Sequence, residues 1–303
     1  MRIAVVGAGA LGLYYGAILQ KSGKEVYFLL RSDYETIRTQ GIIVNSVDGN
    51  FLLPKVKGFR TASEIGTVDL VLVGLKTFAN NFFTDLISPL VGEKTQILTL
   101  QNGLGNEEKL AALFGEDKIL GGVAFLCSNR SKPGVVQHLG EGRILLGEYT
   151  RSDNNRTELI ASIFRNAGVD CRIVPDLQRA RWEKLVWNIP FNGLCALMLK
   201  PVEPLLLFEP TRNLIMDIMG EVINAANAQS LENIIPLSLA EKMVASSRKL
   251  GHYKPSMMID RVEARPLELD AIFGVPLRRA HEKGVQMPRV QQLFALLQLA
   301  EKD

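Results

Sequence analysis

Four apolar residues, Ile3-Ala4-Val5-Val6, pass at once into Gly7-Ala8-Gly9-Ala10-Leu11-Gly12 and then into a helical pattern over Leu11–Lys21. No other feature constrains the fold as tightly. A strand followed by GxGxxG and a helix is the opening of a βαβ unit. The first glycine permits the tight turn, the second lets backbone approach a pyrophosphate, and the third allows close helix–strand packing. The helix N-terminus then offers N–H groups and a partial positive charge to phosphate. The motif alone is also compatible with a glycine-rich turn that holds no ligand. Its place between strand and helix favours the nucleotide.

The alternation continues through the first half of the chain. Candidate strands are Arg2–Val6, Glu25–Leu30, Leu70–Val73, Gln96–Leu100 and Lys118–Val123, nearly continuous in Val, Ile and Leu. Such runs suit strands covered on both faces of a parallel sheet. Helices are predicted between them, most clearly over Leu11–Lys21 and Glu107–Phe114. Two hairpins are predicted: Ile42–Val44 with Phe51–Leu53 around Asp48-Gly49, and Gly134–Leu139 with Arg143–Leu146 around Gly140-Glu141-Gly142. From Asp176 the β-branched runs thin out, and Gln178–Trp187, Thr211–Ser230 and Leu239–Lys249 carry helical spacing. The expected architecture is α/β: a Rossmann-type doubly wound parallel sheet over 1–175, then an all-helical domain over 176–303.

Composition removes several function classes. With 35 Lys plus Arg against 32 Asp plus Glu, the net charge of +3 argues against a broad nucleic-acid face. Three cysteines without a CxxC pair argue against a disulfide framework, and His138, His252 and His281 are too scattered for a metal cluster. No run approaches the roughly 20 apolar residues that span a bilayer, and no signal-peptide core precedes the first glycines. A cytoplasmic protein acting on a small molecule, with no metal, nucleic-acid or membrane partner, is expected.

Ligands of open α/β sheets bind beyond the carboxyl ends of the strands. The second strand runs into Arg31-Ser32 with no acid at its tip, although Asp33 follows two positions after Arg31. An arginine there suits a 2′-phosphate and hence NADP(H); a solvated loop arginine is the alternative. Lys76 follows the strand at Leu70–Val73, and Gln101-Asn102-Gly103 follows Gln96–Leu100, where an amide has the position to reach nicotinamide, ribose or substrate. Asn-Gly is equally a plain turn dipeptide. In the second half Lys184, Asn188 and Asn192 recur at i, i+4 and i+8, a spacing that puts them on one helix face, with Pro190 expected to kink the helix. A lysine and two amides in line beside an apolar stripe suit a small polar substrate bearing a carboxylate or carbonyl, while a solvated stripe has the same spacing. Ser256 reads as the N-cap of a further helix, and Pro266 as the first residue of another with Glu268 two positions on.

Taken in order, GAGALG, LKTF around Lys76, QNGLGN around Asn102, RWEKLVWNIPFN from Arg181, PSMMID from Pro255 and ELDAIFG from Glu268 make the chain resemble the ketopantoate reductase (2-dehydropantoate 2-reductase) family over nearly its whole length. The resemblance implies a Rossmann domain and a helical domain like that of 6-phosphogluconate dehydrogenase. It implies NADPH-dependent reduction of ketopantoate to pantoate, a step of pantothenate and coenzyme A biosynthesis. It assigns Lys184 as general acid toward the carbonyl oxygen, with Lys184, Asn188, Asn192, Ser256 and Asn102 on the substrate. It places Gly7, Ala8, Gly9, Ala10, Leu11, Gly12, Arg31, Lys76, Asn102 and Glu268 on the cofactor. A free lysine titrates near about 10.4, so an ammonium at neutral pH can both stabilise an alkoxide and protonate it. Monomer and homodimer both fit the family.

The chain departs from the family pattern in places. Leu267-Glu268-Leu269-Asp270 stands where Thr-Glu-Ile-Asp is usual, and Leu199-Lys200-Pro201-Val202 where some members carry another asparagine. A related 2-keto or imino acid is therefore the alternative substrate, and a catalytically silent NADP sensor the alternative from another class.

Overall fold

The computed structural model describes residues 1–151 and 155–302. The chain forms two compact units, Met1–Asn102 with Asn106–Leu177, and Gly103–Gly105 with Gln178 onward. The first unit is built on β1 (Arg2–Val6), β2 (Glu25–Leu29), β3 (Ile42–Ser46), β4 (Phe51–Leu53), β5 (Lys57–Phe59), β6 (Leu70–Val73), β7 (Gln96–Thr99), β8 (Ile119–Lys132), β9 (Val135–Glu148) and β10 (Cys171–Ile173). Its helices are α1 (Ala10–Lys21), α2 (Tyr34–Gln40), α3 (Ala62–Ile65), α4 (Phe83–Ile87), α5 (Asn106–Phe114) and α6 (Asn155–Asn166).

All these strands join one sheet in the order β4-β3-β9-β8-β7-β6-β1-β2-β5, with β10 paired to β9. The run β5-β2-β1-β6-β7-β8 is parallel throughout. Its order reverses between β1 and β6, the switch point at which open α/β sheets bind their ligands. Side-chain alternation explains why these strands read as unbroken apolar runs. Ile3 and Val5 of β1, with Leu70 and Leu72 of β6, enter the core on the face of the sheet that carries α1. Ala4, Val6, Val71 and Val73 enter the core on the opposite face. These side chains are fully buried, and each Val, Leu or Ile among them contributes about 1.5–3 kcal/mol on removal from water.

The second predicted hairpin is corrected by the structure. Gly140-Glu141-Gly142 is not a hairpin turn: it lies inside β9, which pairs antiparallel with β8 from Lys132↔Val135 to Leu120↔Glu148. The turn is instead at Lys132–Val135, and β8 extends well past Val123, where the sequence pattern ended it. The three residues have φ of +148°, +62° and +128°, and the pairing shifts register beside them. They form a bulge that turns the strand rather than ending it. His138 is buried within this bend. Its Nε2 donates to the Glu141 carbonyl (2.9 Å), and Nδ1 accepts from the Ser46 hydroxyl (2.8 Å).

The second unit is helical: α7 (Leu177–Met198), α8 (Val202–Leu207), α9 (Glu209–Asn227), α10 (Ser238–Ser247), α11 (Ser256–Val262), α12 (Val275–Glu282) and α13 (Pro288–Ala300), with a π-helical turn over Asp270–Gly274. Helix α7 runs 22 residues with Pro190 inside it, so the Val186 carbonyl lacks its usual i+4 donor. Trp182, Leu185, Val186, Ile189 and Phe191 of α7 are buried in one apolar cluster with α8, α9 and α11. Leu104 belongs to the same cluster, and its N–H donates to the Ala271 carbonyl (2.9 Å). Two polar ties fix the frame. Arg261 Nη1 donates to the Ala196 and Leu197 carbonyls at the end of α7 (2.9 and 3.1 Å). Glu221 of α9 accepts the Arg289 and Val290 N–H groups at the start of α13.

Candidate active site

The glycine turn is held by close backbone packing. A Cβ on Gly7, whose φ is +102°, would lie 2.3 Å from the Leu75 nitrogen, and one on Gly12 would lie 2.1 Å from the Gly7 oxygen. A side chain at either position would force β1, α1 and the end of β6 apart. Gly9 differs: a Cβ there would meet nothing within 4 Å, so its outer side is open for a ligand to approach. No side chain caps the N-terminus of α1, which starts at Ala10, leaving the N–H groups of the first turn directed outward. Gly7 and Gly12 are needed for the fold, whereas no protein atom restricts a side chain at Gly9.

At the tip of β2, Arg31 and Ser32 are exposed. Asp33 is buried: Oδ1 and Oδ2 each lie 3.1 Å from Arg130 Nη1, and Oδ2 also accepts the Gly134 N–H at 3.1 Å. Nothing in the sequence pattern pointed to this arrangement.

Lys76 and Asn102 stand half-buried on neighbouring strand ends, and an amide network sets the two loops. Gln101 Nε2 donates to the Leu75 carbonyl (3.0 Å) and to Asn80 Oδ1 (2.7 Å). Asn80 Nδ2 donates to Asn106 Oδ1 (2.8 Å), and Asn106 Nδ2 donates to the Asn102 carbonyl (3.0 Å). Asn80, Gln101 and Asn106 are all buried, where loss of one partner leaves the next amide unsatisfied. The sequence pattern marked the ends of this chain and missed Asn80 and Asn106 between them.

In the second unit Lys184, Asn188 and Asn192 fall on successive turns of α7. Lys184 is half-buried, while Asn188 and Asn192 are 5% and 3% exposed. Asn192 Oδ1 accepts the Met257 N–H (3.1 Å) and the Ser256 hydroxyl (3.4 Å). Asn192 and Ser256 are thus brought together, and the predicted role of Ser256 is corrected. Ser256 is the first residue of α11 and Pro255 its N-cap; the acceptor for the first turn comes from α7, 65 residues earlier. The Asn188 amide makes no hydrogen bond to the described residues, although it is buried.

Trp187 braces the same end. Its indole N–H donates to the Ser247 hydroxyl (2.9 Å), and its ring lies 4.8 Å from Phe191 and 6.2 Å from Tyr253, centroid to centroid. Tyr253 in turn accepts the Val202 N–H at its carbonyl (3.1 Å).

Glu268 is also corrected. It precedes its helix: Leu269 stands at the cap of the π-helical turn, and the Glu268 carbonyl accepts the Ile272 N–H (3.2 Å). Pro266 is therefore not the first helical residue, because the wider π turn begins later. The Glu268 side chain is buried, whereas Asp270 is exposed and paired with Arg278 (2.8 Å).

Burial pushes the thiols of Cys171 and Cys195 up to about 12, so neither is a thiolate at neutral pH. Among the described residues no group of three or more His, Cys, Asp or Glu could hold a metal ion, and no helix is long and apolar enough to cross a membrane.

Comparison with known proteins follows the same two-part division. Residues 3–151 match the family described as ketopantoate reductase PanE/ApbA, and residues 176–301 match its C-terminal counterpart, ketopantoate reductase PanE/ApbA C terminal. The chain is 41% identical over 305 residues to a 2-dehydropantoate 2-reductase of Nostoc sp., covering 99% of this chain and 95% of that protein. The crystal structure of 2-dehydropantoate 2-reductase from Geobacter metallireducens superposes with a TM-score of 0.98 at 60% identity, covering 99% of this chain and 100% of that one. That from Methylococcus capsulatus gives a TM-score of 0.90 at 32% identity, with 100% and 97% covered.

Proposed function

The chain belongs to the ketopantoate reductase family, and we propose on that premise that it reduces ketopantoate to pantoate with NADPH. The observation that carries the substrate side is the line of Lys184, Asn188 and Asn192 on successive turns of α7, with the Asn188 side-chain amide making no hydrogen bond to the described residues. An amide not committed to the protein is available to hydrogen-bond a polar substrate.

The first unit fits a dinucleotide. The open side of Gly9 and the uncapped start of α1 suit a pyrophosphate, held by the backbone of Gly7, Ala8, Gly9, Ala10, Leu11 and Gly12. Arg31 takes the 2′-phosphate, and Lys76 and Asn102 bind on the cofactor side. NADPH supplies the hydride when bound. The protein supplies charge and orientation. The Lys184 ammonium stabilises the negative charge that develops on the C2 oxygen and then gives that oxygen its proton. Asn188, Asn192 and Ser256 hold the keto acid against it. Ser256 is suited to this by its exposure and by the hydrogen bond that ties it to Asn192.

A second reading, another branched 2-keto acid or an imino acid, is favoured by two positions. Leu267 stands where threonine is usual, and Leu199-Lys200-Pro201-Val202 where some members carry another asparagine; Leu267 and Val202 are both buried in the apolar cluster of the second unit. The test is NADPH oxidation, followed by absorbance, with purified protein and a panel of 2-keto acids. Ketopantoate is expected to turn over with the highest kcat/KM. Turnover of other branched acids but not ketopantoate would establish the second reading, and no turnover of any would overturn both.

Cofactor choice is tested at Arg31. Arg31→Asp is expected to weaken NADPH by tenfold or more, the scale of one charge-assisted hydrogen bond, with NADH within about threefold. Equal loss of both cofactors would remove Arg31 from 2′-phosphate recognition.

A further inference from the structure

We infer that Arg130, locked to the buried carboxylate of Asp33 beside Ser32, is a second determinant of NADPH over NADH. The inference rests on the reading of the first unit as an NADPH site. Dinucleotide folds that prefer the unphosphorylated cofactor present an acid at the tip of the second strand, where it accepts from ribose hydroxyls and repels a 2′-phosphate. This chain has an acid close to that place, at Asp33, and withholds it.

Asp33 is 3% exposed. Both its oxygens lie 3.1 Å from Arg130 Nη1, Oδ1 accepts the Ser32 hydroxyl (3.0 Å), and Oδ2 accepts the Gly134 N–H (3.1 Å). The carboxylate therefore points toward the turn that joins β8 and β9, away from solvent. Arg130 comes from β8, 97 residues further along the chain, and its side chain is 39% exposed. Among the described residues only Nη1 donates to the protein; Nε and Nη2 have no protein acceptor.

The arrangement acts in two ways. Arg130 neutralises a carboxylate that would otherwise oppose a 2′-phosphate carrying nearly two negative charges. It also holds uncommitted guanidinium N–H groups beside Ser32, next in sequence to Arg31, in the fork geometry that suits phosphate. Asp33 is then a positioning residue for Arg130, and the polarity of the usual acid at this place is reversed.

A merely structural ion pair predicts a different result. Removing Arg130 from a structural pair strands a buried charge and weakens the whole unit, so NADPH and NADH suffer alike. We would measure the affinity of the full-length protein for each dinucleotide by titration calorimetry, together with KM and kcat, for wild type, Arg130→Gln and the charge-free pair Asp33→Asn/Arg130→Gln. Arg130→Gln is expected to weaken NADPH by tenfold or more, to leave NADH within twofold, and to raise KM for NADPH with kcat unchanged. The double variant, in which no unpaired charge remains, is expected to recover part of the NADPH affinity. An unchanged NADPH-to-NADH ratio in both variants would overturn the inference while leaving the NADPH reading intact. A wild-type protein that binds neither dinucleotide would overturn that reading, and the inference with it.

Discussion

Replacing Lys184 with alanine is expected to lower kcat by roughly three orders of magnitude, within the range for loss of a general acid, and to leave NADPH affinity within about twofold. The expectation follows from what the residue is asked to do. Charge appears on the keto oxygen only as hydride arrives, so an ammonium placed there acts on the transition state far more than on bound substrate. The half-buried setting on α7 strengthens that interaction relative to water. Lys184→Arg separates the two duties. It keeps a positive charge but holds its proton above about pH 12, so it is expected to recover part of the electrostatic effect and little of the proton transfer. Steady-state kinetics with a parallel NADPH titration measures both. A kcat within tenfold of wild type in Lys184→Ala would remove the residue from the chemistry.

The second large effect is expected from one methyl group in the first turn. In Gly12→Ala the new Cβ would stand 2.1 Å from the Gly7 oxygen and 3.1 Å from Val5 Cγ1. Neither neighbour is the free end of a flexible side chain. Helix α1 must therefore lift from β1, opening the turn that carries the nucleotide. Overpacking of this kind costs about 1–3 kcal/mol in a well-packed core, and NADPH affinity is expected to fall at least a hundredfold. Gly9→Ala is the paired control, since its Cβ meets no protein atom within 4 Å. It is expected to keep wild-type thermal stability while losing NADPH affinity, because the added carbon occupies the phosphate's approach. Thermal melting and calorimetry together test the pair. A Gly9→Ala protein that binds NADPH normally would mean that the open side of the turn does not face the cofactor.

The difference between those two glycines follows the motif's own logic, the second open toward a ligand and the third packed against the strand. What the sequence did carry was local: the glycine turn, the apolar strands of the parallel run, and the recurrence of Lys184, Asn188 and Asn192 on α7. Features that depend on distant partners were illegible. Asp33 stood as an acid near the strand tip, against the 2′-phosphate reading, because its partners, Arg130 and Gly134, lie 97 and 101 residues away. The amide network needed Asn80, Gln101 and Asn106 to meet across 21 and 26 residues. Ser256 resembled an N-cap because nothing in the local pattern indicates that Asn192 reaches across to supply the acceptor. Gly140-Glu141-Gly142 was read as a hairpin turn for a related reason. Turns and bulges both draw on left-handed backbone, and only the partner strand decides which one forms.

One consequence concerns how this protein can be watched. Trp182 and Trp187, two and three positions either side of Lys184, are its only tryptophans. Trp182 is fully enclosed, while Trp187 sits against Phe191, Tyr253 and the Ser247 hydroxyl. All intrinsic indole emission therefore originates from a single helix, with one lamp shuttered from solvent and the other leaning on the segment that leads to Ser256. Excitation at the red edge, where the six tyrosines do not absorb, reads out α7 alone, an optical gauge supplied without labelling at the place where the keto acid is proposed to bind.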